Sequence, residues 1–120
     1  MDKHSIIQWN CRGLKANYNE VLILLTLLGP NVLCLQETFL KSNDQIDFKN
    51  YSIYNYINED CQRASGGTSI VVNNKTPHCE FKLDTNLQAV AVNVSFDMKI
   101  TICSVYIPPT GILIQSDLDK

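Results

Sequence analysis

Two short apolar runs, Ile6-Ile7-Gln8-Trp9 and Val32-Leu33-Cys34-Leu35-Gln36, decide the fold of this 120-residue chain. A stretch with helical periodicity separates them, and the three segments together predict a β-α-β unit with parallel strands and a right-handed crossover. Asn10 follows the first run directly, and Glu37 follows the second. Both should therefore lie at the carboxyl edge of the sheet, where open α/β sheets bind their ligands. An amide and a carboxylate at such an edge indicate a divalent metal ion and a phosphate group.

The segment between the two runs has the signals of a helix start and a helix end. Asn17, with Glu20 three residues later, resembles a capping box in which Asn replaces the usual Ser or Thr. Gly29 fits the position just past the helix, and Pro30 prevents continuation. We expect this helix to present one broad apolar face, formed by Tyr18, Val21, Leu22, Leu25 and Leu28.

Beyond the second run, the sequence is typical of strands. Aromatic and β-branched residues predict strands at 51–57 and 68–72 and a weaker one at 79–83. Two further runs, 87–96 and 99–107, are joined by a tight turn at Asp97-Met98 and predict a hairpin that Pro108-Pro109 ends. One helix followed by several strands favours an α/β (α+β) fold, with mostly one mixed β-sheet and one main covering helix.

Composition limits the class of protein. A hydrophobic content of 45% and a charged content of 18% are typical of one globular domain with a real core. The net charge of −2 gives no overall basic surface for nucleic acid, although a local basic rim is compatible with it. Five cysteines without a CxxC pair indicate reduced thiols in an intracellular protein. The longest apolar stretch, residues 21–28, is too short to span a membrane.

Four motifs occur in one order along the chain: Trp9-Asn10-Cys11-Arg12-Gly13-Leu14, Leu33-Cys34-Leu35-Gln36-Glu37-Thr38, Ser65-Gly66-Gly67-Thr68 and Val105-Tyr106-Ile107-Pro108-Pro109. Together they resemble the amino-terminal half of the endonuclease/exonuclease/phosphatase superfamily. The resemblance is strongest to the apurinic-like endonuclease domain of non-LTR retrotransposons of the jockey or R-element kind, and it covers residues 5–109. It implies an incomplete four-layer α/β sandwich over residues 1–120.

The resemblance also implies roles for individual residues. Glu37 matches the family's Mg²⁺-binding glutamate, and Asn10 matches an asparagine that helps to set the metal and the phosphate; Mn²⁺ is an alternative ion. Tyr106 matches a tyrosine that contacts the scissile phosphate, so the implied catalytic set is Asn10, Glu37 and Tyr106. Arg12 is expected to bind substrate together with Asn10 and Tyr106. The implied partner is the phosphodiester backbone of DNA.

The chain departs from the family pattern after Tyr106. Family members carry a later Asp-x-Asn segment and a late Asp-His pair, which orient the attacking water and complete the phosphate site. Asp117-Leu118-Asp119 is not such a segment, and His4 and His78 precede Tyr106. We therefore expect this chain to be the amino-terminal half of a catalytic domain and to be inactive alone. The carboxyl-terminal half of the domain and a downstream reverse transcriptase are its implied partners.

Two alternatives stay open, namely another phosphodiesterase or abasic-site nuclease of the superfamily, and a non-catalytic remnant. A nuclear location follows only from the implied work on chromosomal DNA. Simpler structural roles are predicted for other residues. Gly66-Gly67 should serve a turn or a close approach of strands. His4 and His78 should be solvated surface residues, with His78 in a turn.

Overall fold

The computed structural model describes residues 4–58 and 65–108, and within them the chain forms seven strands and one helix. Cys61, Pro109 and the Asp117-Leu118-Asp119 segment lie outside the described residues. The elements are β1 (Ile6–Asn10), α1 (Tyr18–Leu28), β2 (Val32–Gln36), β3 (Tyr51–Tyr56), β4 (Thr68–Asn73), β5 (His78–Phe81), β6 (Gln88–Ser95) and β7 (Lys99–Tyr106).

The strands divide between two sheets. The first is mixed, with the order β1-β2-β4-β3, and its β1 and β2 are parallel, as predicted for the β-α-β unit. β4 runs antiparallel to both β2 and β3. The second sheet, β5-β6-β7, is antiparallel throughout and contains the predicted hairpin. The α+β class is thus confirmed, and the strands after β4 build a second layer instead of extending the first sheet.

β2 lies at the centre of the core because both of its faces are covered. Leu33 and Leu35 belong to a buried cluster with Val21 and Leu25 of α1. Val32 and Cys34 point the other way, into a cluster that also contains buried valines of β6. Each buried leucine stabilises the fold by roughly 1.5–3 kcal/mol. This two-sided burial explains why the sequence of β2 is apolar without alternation.

The surface of α1 that is buried against the first sheet is narrower than the predicted apolar face. Only Val21 and Leu25 are fully buried, whereas Leu22 and Leu28 are exposed. Of the predicted apolar face, Tyr18, Val21 and Leu25 contact the core, whereas Leu22 and Leu28 do not, because a single helix lying on a sheet buries a narrow stripe and leaves the flanks outside. The C-terminal prediction is confirmed, since Gly29 is left-handed (φ 51°) and its N–H donates to Leu25 O. In the described part of the chain, no helix is long and apolar enough to cross a membrane.

The N-terminal capping prediction was also wrong. Asn17 stands at the N-cap position, but its side chain makes no capping hydrogen bond. The amide instead donates to carbonyl groups of the preceding loop, at Cys11 O (2.7 Å) and Gly13 O (3.1 Å). These bonds direct the Nδ2 group of Asn17 toward the preceding loop, and its Oδ1 caps no N–H of the first turn.

His78 links the two sheets rather than lying in a turn. It begins β5, and its Nδ1 is 2.6 Å from Tyr54 Oη on β3. Burial lowers the pKa of His78, and His78 is half-buried. The prediction of a solvated histidine is therefore wrong for His78. His4 is exposed as predicted, although its ring stacks on Phe96.

Candidate active site at the strand ends

Asn10 and Glu37 lie side by side at the carboxyl edge of the first sheet. Asn10 is the last residue of β1 and pairs with Gln36, and Glu37 follows Gln36 directly. Asn10 is exposed and Glu37 is half-buried. The parallel pairing of β1 and β2 is what brings their ends to one edge, so the juxtaposition expected from the sequence is present.

The loops that continue from these two strands are hydrogen-bonded to each other. Cys11 N–H donates to Gln36 O (3.0 Å), Gly13 N–H to Glu37 O (2.7 Å) and Leu14 N–H to Thr38 O (2.9 Å). The asparagine amide of Asn17 clamps the first of these loops from the helix side. The backbone around Asn10 and Glu37 is thus fixed by contacts that no short motif encodes.

Three non-glycine residues at this corner have left-handed backbone conformations: Arg12 (φ 50°), Glu37 (φ 55°) and Phe39 (φ 58°). Such a conformation costs roughly 1–2 kcal/mol for an L-residue and persists only where the surroundings impose it. Strain of this kind collects at functional sites. Glu37, one of the three, has its carboxylate 3.5 Å from Tyr106 of the second sheet.

Gly66 and Gly67 support the Glu37 loop from the far side. Phe39 N–H donates to Gly66 O (3.0 Å), and Thr38 N–H lies 3.4 Å from Gly67 O. Gly67 has a φ of 86°, and a Cβ there would come within 2.7 Å of Thr38 Oγ1 and 3.2 Å of Tyr56 O. The predicted backbone role of these glycines is confirmed. Thr38 Oγ1, pressed against Gly67, has no hydrogen-bond partner among the residues that the structure describes.

Tyr106 reaches the corner from the second sheet. It ends β7, and its Oη lies 3.5 Å from Glu37 Oε1, which is long for a hydrogen bond. Burial raises the pKa of the Tyr106 phenol, and the negative charge of Glu37 raises it further. Tyr106 therefore stays protonated at neutral pH and can donate its hydroxyl proton. The three residues expected to form the catalytic set meet where the two sheets face each other.

A groove of about 600 Å³ runs between β1 and β2 on one side and β7 on the other. Its floor is a polar chain that the sequence did not suggest. Gln36 Nε2 donates to Ser104 Oγ (2.9 Å) while Gln36 Oε1 accepts from Gln8 Nε2 (2.7 Å), and Ser104 Oγ lies 2.5 Å from Thr68 Oγ1. These bonds hold β1, β2, β4 and β7 in one arrangement below the corner.

Arg12 is exposed in the loop directly after Asn10 and Cys11. Its guanidinium makes no ion pair with the residues in 4–58 and 65–108. The position suits a contact to an anionic ligand at the edge of the corner, because a free guanidinium can donate to phosphate oxygens.

The donor groups at the corner fit a hard divalent cation. Glu37 offers a carboxylate and Asn10 an amide oxygen, the ligand types that Mg²⁺ combines with water and phosphate oxygens. No group of three His, Cys, Asp or Glu residues able to hold a metal occurs in the described residues, so solvent or substrate would fill the remaining positions. Burial raises the pKa of the nearby Cys11 thiol, and a hard cation such as Mg²⁺ prefers oxygen ligands to sulfur.

Comparison with known proteins gives a family match and several solved structures of similar fold. The family model of the Endonuclease/Exonuclease/phosphatase family matches residues 7–108. Among solved structures, the endonuclease domain of TRAS1, a telomere-specific non-LTR retrotransposon, is similar with a TM-score of 0.71 at 19% identity, over 91% of this chain and 48% of that one. The AP endonuclease LMAP from Leishmania major has a TM-score of 0.68 at 21% identity, over 91% and 41%.

A third similar structure is the 3′ phosphatase NExo from Neisseria, bound to a product DNA hairpin. It has a TM-score of 0.59 at 20% identity, over 83% of this chain and 40% of that one. No curated protein matches the sequence. These likenesses show the two-sheet fold of the endonucleases, and the chain spans about half the length of each structure.

Proposed function

Because the chain belongs to the endonuclease/exonuclease/phosphatase family, we propose that it is the amino-terminal half of a Mg²⁺-dependent endonuclease domain of a non-LTR retrotransposon. The observation that carries the proposal is the meeting of Glu37, Asn10 and Tyr106 at one corner, with Tyr106 Oη 3.5 Å from the Glu37 carboxylate. The similarity in fold to the TRAS1 endonuclease domain supports the retrotransposon branch.

Each residue has a distinct part in the proposed cleavage of a DNA phosphodiester. Glu37 and the Asn10 amide oxygen would hold the divalent ion on which enzymes of this family depend. Such an ion would supply polarisation of the phosphoryl group and stabilisation of the leaving oxygen. Tyr106 donates a hydrogen bond to a phosphate oxygen, for which its raised pKa keeps it protonated. Arg12 contacts the DNA backbone beside the scissile bond.

The partners and the location follow from the same proposal. DNA is the substrate, as the DNA hairpin bound to the similar NExo structure also suggests. The carboxyl-terminal half of the domain supplies the groups that activate water and complete the phosphate site, and a reverse transcriptase lies downstream of it. Action on chromosomal DNA places the protein in the nucleus.

The proposal is tested by reading the gene beyond the codon for Lys120. We expect an Asp-x-Asn segment, an Asp-His pair and then a reverse transcriptase, and we expect the protein made from that longer frame to nick supercoiled plasmid in Mg²⁺. Glu37→Gln should reduce nicking to background, whereas Glu20→Gln, on the first turn of α1, should not. A stop codon without these motifs would instead favour a non-catalytic remnant.

The 120-residue chain alone should not nick plasmid DNA, because Glu37, Asn10 and Tyr106 include no group placed to activate water. Nicking by the purified chain that depends on Mg²⁺ and disappears in Glu37→Gln would show that this half is sufficient. An abasic-site nuclease is the second candidate, favoured by the similarity to the Leishmania enzyme. Preference of the longer protein for plasmid with abasic sites over intact plasmid would identify it.

A further inference from the structure

Gln88 stands beside the candidate site although no motif draws attention to it. It is the first residue of β6, and its direct partner on β7 is Tyr106. Directly paired residues of antiparallel strands project to the same face of the sheet. The Gln88 side chain therefore extends next to that of Tyr106, and its Oε1 accepts a hydrogen bond from Gly67 N–H at 2.8 Å.

This bond closes a ring of contacts around the corner. Gly66 and Gly67 carry the carbonyl groups that face Phe39 N–H (3.0 Å) and Thr38 N–H (3.4 Å). The loop so held begins at Glu37, whose carboxylate lies 3.5 Å from Tyr106 Oη. Tyr106 returns to Gln88 through the β6–β7 pairing. The Gln88–Gly67 bond therefore joins the second sheet to the turn that supports the Glu37 loop, in addition to the Tyr106 contact and the Gln36–Ser104 and Thr68–Ser104 bonds of the groove.

The Gln88 side chain leaves no room for a side chain at Gly66. Its φ is 63°, and a Cβ on Gly66 would come within 2.5 Å of Gln88 Oε1. A side chain at position 66 would therefore displace the amide from Gly67. Gly66 of the Ser65-Gly66-Gly67-Thr68 motif thus makes room for the Gln88 side chain as well as for the turn, whereas Gly67 makes room for Thr38 and Tyr56.

We infer that Gln88 is a positioning residue, which fixes the Gly66-Gly67 turn on the second sheet and thereby holds the Glu37 loop at its distance from Tyr106. The inference rests on the proposed function in one respect, namely that the position of Glu37 matters for a metal ion. Gln88 itself touches no reacting atom; it acts through Gly67 and the Glu37 loop.

The test compares Gln88→Met, which keeps the length of the side chain and removes the acceptor, with Asn93→Leu. Asn93 is the matched control on the same strand, since its Oδ1 accepts from Thr101 Oγ1 (2.6 Å) away from the corner. The first readout is hydrogen exchange of the Phe39 amide, resolved by mass spectrometry with fragmentation. Loss of one hydrogen bond should speed this exchange by about twofold to tenfold in Gln88→Met. Asn93→Leu should leave it unchanged.

The second readout separates positioning from general stability. Mg²⁺ is titrated into each variant while the Glu37 amide is followed by NMR, and exchange of the β4 amides reports on the core. We expect Gln88→Met to weaken Mg²⁺ binding by about twofold to tenfold with β4 unchanged, and Gln88→Glu, which retains an acceptor oxygen, to restore Phe39 protection. Wild-type Phe39 exchange in Gln88→Met would overturn the inference, as would equal acceleration at Phe39 and in β4.

The positioning role of Gln88 and the metal-dependent function can be disproved independently of each other. If the wild-type chain binds no Mg²⁺ but Phe39 exchange still rises in Gln88→Met alone, the positioning role stands and the metal-dependent function falls. If Gln88→Met does not fold, Gln88→Glu decides the matter: wild-type protection of Phe39 supports the role of the acceptor, and lost protection contradicts it.

Discussion

The Cys34 thiol lies in the core between the two sheets, where only 6% of the residue is exposed. Burial raises the pKa of this thiol from 9.0 to about 11, with a further contribution from Cys103. A group whose folded pKa exceeds its unfolded value contributes stability below the unfolded pKa, and that stability is lost as the pH rises through the folded pKa. For Cys34 the loss falls between 9.0 and about 11.

Cys34→Val should therefore make the fold less sensitive to alkaline pH. Between about pH 7 and about pH 10, wild-type protein should lose about 1–2 kcal/mol more of its free energy of unfolding than the variant does, because each pKa unit corresponds to about 1.36 kcal/mol. Urea denaturation at the two pH values measures this difference. Cys79→Val, which removes an exposed thiol, is the control. Equal losses in wild type and Cys34→Val would show that the buried thiol does not govern the response.

Three residues illustrate which contacts of the candidate site the sequence predicts and which it does not. Asn10 and Glu37 were predicted as neighbours because each ends a strand and parallel strands end together. Asn17 was assigned to the wrong contact, since the loop that captures its amide is formed only when the strand ends meet. Gln88 could not be found at all, because it acts on Gly67, a residue brought to it by the packing of one sheet on another.

At the scale of elements, the turn at Gly66-Gly67 before β4 has no space for an added side chain. Gly67→Ala should destabilise the fold by about 2–4 kcal/mol, since a left-handed backbone and a clash with Thr38 and Tyr56 combine. Gly29→Ala, at the end of α1, should cost only about 1–2 kcal/mol, because its φ is also positive but nothing lies within 4 Å of the added Cβ. Chemical denaturation of both variants measures the difference, and equal costs would contradict the crowding argued for Gly67.

The sequence predicted a strand correctly where its hydrophobic pattern matches the burial of the strand in the fold. β2 has the predicted bounds because it is short, continuous and covered on both faces. The division into two sheets was implied by the family resemblance but not by the strand pattern, since strand periodicity shows which residues share a face but not which strand is the neighbour. The helix face was predicted too broad for a related reason: hydrophobic spacing does not reveal that Leu22 and Leu28, at 38% and 63% exposure, lie outside the stripe that contacts the sheet.

At the scale of the whole molecule, the groove between β1 and β7 leaves apolar side chains uncovered. Ile6 and Ile107 line it and are 49% and 50% exposed. Within the described residues, β1 is also an edge strand of its sheet, with no strand beside it on one side. We therefore expect the purified 120-residue chain to be marginally stable and to self-associate through this edge.

Ile6→Lys should shift the chain toward monomer in sedimentation velocity, because a charge on the edge strand opposes pairing. Leu27→Lys, on the exposed side of α1, should leave association unchanged and thereby distinguishes the edge from the helix surface. A soluble wild-type monomer that melts cooperatively at about 45–65 °C, the ordinary range of mesophilic domains, would contradict the expectation.

The central claim is that Glu37 and Asn10 form a corner for a divalent cation that Tyr106 completes. The most direct measurement is a Mg²⁺ titration of the wild-type chain followed by amide NMR, repeated for Glu37→Gln and for the control Glu20→Gln. We predict saturable shifts confined to the ends of β1, β2 and β7, which are lost in Glu37→Gln and retained in Glu20→Gln. Wild-type Mg²⁺ binding by Glu37→Gln, or shifts centred elsewhere on the molecule, would contradict it.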